Sequence, residues 1–119
     1  VILAVGVSST NYIEGEEGDK FGERPIRMKN FPGWPAPLAD TLLYIADKGV
    51  ATFGIDTPSM GSVHDAIPAH VEGLKRGLIY IVGLANLKEL PVHGAEFIFL
   101  PVKVKGSSGF PGRAIALLE

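Results

Sequence analysis

The stretch from His70 to Leu87 constrains this chain more than any other. A run of helical periodicity ends at Gly77, the apolar residues Leu78 to Val82 follow, and Gly83-Leu84-Ala85-Asn86-Leu87 closes the segment. A helix does not continue through a glycine stop into a β-branched run, so the stretch reads as helix, turn, strand and loop. Strands and helices that alternate in this way belong to α/β architectures rather than to bundles or sandwiches.

The flanking sequence supplies the partners. Residues 1–7 form a continuous apolar, β-branched run without polar alternation, as in a strand covered on both faces. Residues 8–35 change to Gly, Pro and charge, a long loop of the kind that forms lids. Leu38, Leu42, Ile45 and Ala46 recur at helical spacing ahead of Gly49, which predicts an amphipathic helix with a glycine stop. Val50 to Ile55 reads as a second strand. A second helix is expected from Asp65 to Arg76, with Asp65 as its N-cap and Pro68 in the first turn, where a missing N–H costs little. Residues 78–82, 97–105 and 113–118 complete the strands, and Pro101 calls for a bulge or an edge position.

Composition narrows the function classes. The chain has 119 residues, 46% hydrophobic and 20% charged, enough for one domain with a core and too apolar for a disordered tail. Its net charge of -2, with no basic cluster, argues against nucleic acid and anionic membranes as partners. With no cysteine, disulfides, thiolate metal sites and cysteine nucleophiles are excluded. The apolar runs fall far short of the roughly 20 residues that span a bilayer, and a cytoplasmic setting is expected.

Three groups of residues invite a chemical reading. Asp56, Thr57 and Ser59 follow the second strand, and in open α/β sheets ligands collect at such strand ends; Asp56 also suits a turn-capping role. His70 shares a helix face with Ile67 and Leu74, so its imidazole is expected to point toward the core or the floor of a cleft. His64 lies six residues earlier, on the loop before the helix. Ser59 lacks the Gly-x-Ser-x-Gly elbow of a serine hydrolase, and Gly106-Ser107-Ser108-Gly109 lacks the Lys and the helix of a phosphate loop.

Taken together, Gly54-Ile55-Asp56-Thr57-Pro58-Ser59, the His70 to Leu87 stretch, Glu89-Leu90-Pro91, and Leu100 to Gly106 followed by Arg113 to Leu118 stand in a distinctive order. In that order and spacing the chain resembles the metal-dependent cyclase family, whose best-known members are bacterial kynurenine formamidases and isatin hydrolases. The resemblance implies a single α/β domain over residues 1–119, a mixed β-sheet core with flanking helices of the swivelling β/β/α type, corresponding to the C-terminal half of the family domain. It implies a metal-activated water that cleaves an amide, lactam or ester bond of a small molecule, with Zn or Mn as the metal and a homodimer or homotetramer as the assembly.

Residue by residue, the resemblance makes His70 a metal ligand or proton shuttle and leaves His64 as a further possible ligand. Asp56, Thr57 and Ser59 would shape the substrate pocket, and Phe31 and Trp34, with the Pro32-Gly33 between them, would close over it. Two features depart from the family pattern. The motif His-x-Gly-Thr-His-x-Asp-x-Pro-x-His cannot be assembled from His64, His70 and His93, so the N-terminal half is expected from a preceding segment or another chain. Twelve residues after His70, where the family has a metal-binding Glu, stands Val82. A valine offers no lone pair to a cation. The alternative class is therefore a degenerate, non-catalytic subunit used for binding or assembly.

Overall fold

Three parallel strands and two helices build the part of the molecule that carries the candidate residues. In the computed structural model, residues 2–3, 26–28 and 33–118 are described. Most of the expected 8–35 loop, Phe31 included, lies outside them. Strands β1 (Ile2–Leu3), β2 (Thr52–Ile55) and β3 (Ile79–Ile81) pair in sequential order, with Ile2 opposite Gly54 and Gly54 opposite Ile81. Helix α1 (Ala39–Asp47) lies between β1 and β2 in the chain, and α2 (Ile67–Lys75) between β2 and β3. Crossovers of one hand that step in one direction place both helices on one face of a sheet. In agreement, α1 packs on α2.

The core follows from that layering. Phe53 and Ile55, two residues apart on β2, point to the helical side and are 1% and 0% exposed. They cluster with Leu42 of α1, Ala69 of α2, Met60 and Leu78, and Ile45, Ala46 and Tyr80 pack around them. Both helices end at glycines with φ of +81°, Gly49 and Gly77, as the sequence indicates. On the exposed side, Arg76 at the end of α2 pairs with Asp47 at the end of α1. An exposed pair of this kind contributes at most about 1 kcal/mol.

The start of α2 differs from the sequence expectation. Its N-cap is Ala66, in helical geometry at φ -82° and ψ -29°, with no side-chain cap. Asp65 instead forms an isolated bridge with Ser62, and its N–H is bonded by the Ser62 hydroxyl at 3.1 Å. Ser62 has already turned the chain, so the carboxylate is not needed for the helix entry. Pro68 falls in the first turn as expected.

The chain divides into two compact units, residues 1–87 and 88–119. The second is an antiparallel ribbon of β4 (Ala95–Pro101) and β5 (Gly112–Leu118), in register from Ala95 opposite Leu118 to Pro101 opposite Gly112. The architecture is thus α/β, with its strands shared between a parallel sheet and a separate ribbon. Pro101 closes β4, and both strands of a two-stranded ribbon are edges, which suits its missing N–H. The expected continuation to Lys105 is a turn region instead. No helix among the described residues is long and apolar enough to cross a membrane.

Candidate functional site

The loop that leaves the C-terminal end of β2 is buried and held by its own hydrogen bonds. Asp56 and Thr57 are 2% and 0% exposed. The Thr57 hydroxyl donates to the Ser59 carbonyl at 2.8 Å, the local side-chain bond that threonine favours in turns. Beyond β3, the Gly83 N–H donates to the Thr57 carbonyl at 2.8 Å and the Leu84 N–H to the Ile55 carbonyl at 3.1 Å. The carboxyl ends of β2 and β3 are thereby joined, and the residues expected to shape a pocket lie at this sheet edge. No buried side-chain nitrogen or oxygen among the described residues lacks a hydrogen-bond partner, Asp56 included.

His70 meets this loop from α2. Its ring folds back along the helix, the direction helical side chains take, so that Nδ1 lies 2.8 Å from the Ala66 carbonyl. The other nitrogen, Nε2, lies 3.3 Å from the Ser59 hydroxyl. Tyr80 closes the third side, its ring edge-on to the imidazole with centroids 5.9 Å apart. The Tyr80 hydroxyl donates to the Ala69 carbonyl at 2.8 Å, and burial pushes its phenol pKa above the usual value. Gly61 lets the loop lie against the helix start, because a Cβ there would sit 2.6 Å from the Ala66 Cα and 2.8 Å from its carbonyl oxygen.

The inward face of α2 is not the expected one. Ile67 and Leu74 are 76% and 54% exposed, whereas Ala69 and Gly73 are buried. The Tyr80 ring occupies the space beneath the helix, and only small side chains fit above it. His70 sits on the flank of that buried stripe, partly buried rather than in the core. Tyr80 and the Ala66 carbonyl were not signalled as site groups. The available signal for Tyr80 was a hydroxyl-bearing ring within an otherwise aliphatic strand, since a buried tyrosine hydroxyl takes a hydrogen-bond partner.

The remaining candidates are placed as follows. Trp34 is 6% exposed, and its indole Nε1–H donates to the Gly61 carbonyl at 2.9 Å, so this residue lies against the same loop as Ser59. Phe31 lies outside the described residues. His64 and His93 are exposed. Val82, at the residue just beyond β3, is 44% exposed. Among the described residues, no three His, Cys, Asp or Glu side chains form a group that could hold a metal ion. These residues therefore do not by themselves fit the divalent metal of the cyclase family, and both ring nitrogens of His70 are already engaged. The second unit has an open hollow of about 480 Å³ at the ribbon's turn, lined by residues such as Val102, Lys103 and Phe110, with no carboxylate or imidazole.

No family model matches the chain. Curated proteins and solved structures do. The isatin hydrolase of Roseibium aggregatum is 33% identical over 92 residues, which take in 73% of this chain and 35% of that protein. The kynurenine formamidase of Salinibacter ruber is 34% identical over 87 residues, 69% of this chain and 41% of that protein. A crystal structure of an isatin hydrolase bound to the product analogue thioisatinate superposes with a TM-score of 0.66 at 30% identity, over 73% of this chain and 35% of that one. A structure described as a potential metal-dependent hydrolase with cyclase activity gives 0.60 at 29% identity, over 68% and 40%. The chain spans about a third to two fifths of the length of these relatives. Over the matched residues it is a homologue of isatin hydrolases and kynurenine formamidases, with the cyclase-like metal-dependent hydrolase fold.

Proposed function

We propose that the intact protein is a metal-dependent hydrolase that opens an amide, lactam or ester bond of a small molecule, and that His70 carries the proton in that reaction. The observation that supports the reading is the fixed imidazole at the loop leaving β2, in a segment homologous to isatin hydrolases and kynurenine formamidases. Opening an amide requires that a water lose a proton as it attacks the carbonyl and that the departing nitrogen gain one. A positioned imidazole does both at neutral pH and contributes about 10²–10⁴-fold. Asp56 and Thr57 would shape the substrate end of the pocket, with Trp34 and Phe31 against it.

The metal, which we take to be Zn or Mn, would activate that water. Its ligands would come from outside the described residues, from a preceding segment or from another chain that supplies the N-terminal half, within a dimer or tetramer. A cytoplasmic setting fits this reading.

The test is hydrolysis of an aryl formamide, isatin and an aryl lactone by the protein purified without chelator, with metal content measured on the same sample. The reading expects bound metal and turnover of at least one of these compounds, with His70→Ala lowering turnover by about 100-fold or more while the fold persists. A metal-free protein inert toward all three would favour the non-catalytic subunit.

A further inference from the structure

The hydrogen bonds around His70 have a direction that follows from chemistry alone. A backbone carbonyl only accepts, so the Ala66 oxygen at 2.8 Å requires the proton on Nδ1. In the neutral ring Nε2 then carries the lone pair, and the Ser59 hydroxyl at 3.3 Å must be the donor to it. The Ser59 oxygen in turn accepts from the Gly61 N–H at 3.5 Å, and the Ser59 carbonyl is held by the Thr57 hydroxyl at 2.8 Å. An ordered chain therefore runs from Gly61 through Ser59 to His70 and ends on Ala66.

We propose that Ser59 is the positioning residue for His70: its hydroxyl holds the Nε2 lone pair at the carboxyl edge of β2 and stands between the imidazole and whatever enters there. The inference rests on the reading of His70 as the proton-carrying group. Ser59 is neither the nucleophile nor a mere pocket wall in this scheme. When substrate arrives, the hydroxyl rotates away to free Nε2 for a reacting proton, and it returns as the ring resets. The Nδ1 bond to Ala66 does not change, so the ring keeps its tautomer and orientation throughout.

The experiment is imidazole nitrogen NMR on the ¹⁵N-histidine-labelled chain at a pH where the rings are neutral, with no metal or substrate added. The expected spectrum assigns His70 a protonated Nδ1 and a non-protonated Nε2 that lies upfield of the same nitrogen in Ser59→Ala, as acceptance of a hydrogen bond requires. Ser59→Ala should keep the Nδ1-protonated tautomer and lose that upfield displacement, and Ser59→Thr, which keeps the hydroxyl, should keep both. An Nε2-protonated ring in the wild type, or an Nε2 resonance that Ser59→Ala leaves unmoved, overturns the proposal. If Ser59→Ala does not fold, Ser59→Gly, which also removes the hydroxyl, takes its place in the comparison. In the turnover assay, Ser59→Ala should lower kcat with KM little changed and Ser59→Thr should restore it; unchanged kcat also overturns the proposal. Loss of all hydrolysis in the wild type, beside the expected spectrum, would instead overturn the hydrolase reading and leave the hydrogen-bond assignment supported.

Discussion

Gly73 shows how much a single missing carbon decides around the site. A Cβ at this position would lie 1.6 Å from the Tyr80 hydroxyl and 2.7 Å from the ring carbon that bears it. Alanine is the better helix former by about 1 kcal/mol. Against that gain stand overpacking of about 1–3 kcal/mol and the lost bond from Tyr80 to the Ala69 carbonyl, about 1 kcal/mol more. Packing wins, and Gly73→Ala should destabilise the chain by roughly 1–3 kcal/mol in urea unfolding. The His70 ring resonances should move with it, since Tyr80 lies edge-on to that imidazole. A variant as stable as the wild type would show that Tyr80 does not lie beneath α2. The sequence alone does not show what Gly73 is for, because the ring that needs the space comes from β3.

Helices and strands were legible where the chain punctuates itself. Gly49 and Gly77 end α1 and α2 where their apolar periodicity runs out, and the β-branched or aromatic runs that follow become β2 and β3. The start of α2 was not legible, because an Asp ahead of a Pro fits an N-cap whether or not the chain has already turned. Here Ser62 turns it, and Ala66 occupies the cap. Asp65→Ala should therefore change stability by less than about 0.5 kcal/mol, whereas loss of a true cap costs about 0.5–2 kcal/mol. Thermal or urea unfolding distinguishes the two, and a loss above 1 kcal/mol would restore the capping role. The inward face of α2 was hidden for a related reason. Its sequence offers Ile67 and Leu74 as the larger apolar pair, yet the partner's shape selects Ala69 and Gly73.

At the scale of the whole molecule, the two units differ in what their strands can bury. In the first, Phe53, Ile55, Leu42 and Met60 are fully enclosed between sheet and helices. In the second, none of residues 88–118 is buried, and Leu100, Ile115, Leu117 and Leu118 are exposed apolar side chains on the ribbon. Apolar runs at residues 97–102 and 113–118 announce strands, but period and propensity cannot tell whether a face has a partner. A lone two-stranded ribbon is marginal in water. Native-state hydrogen exchange on the chain by itself should therefore split in two: amides of β2 should open with free energies approaching that of global unfolding, and those of β4 and β5 at no more than about 1 kcal/mol despite their complete ladder. Equal protection in both units would mean that a face of the ribbon is covered in solution. If that protection rose with protein concentration, the cover would be a second copy of the chain; if it did not, the ribbon would be closed within one molecule.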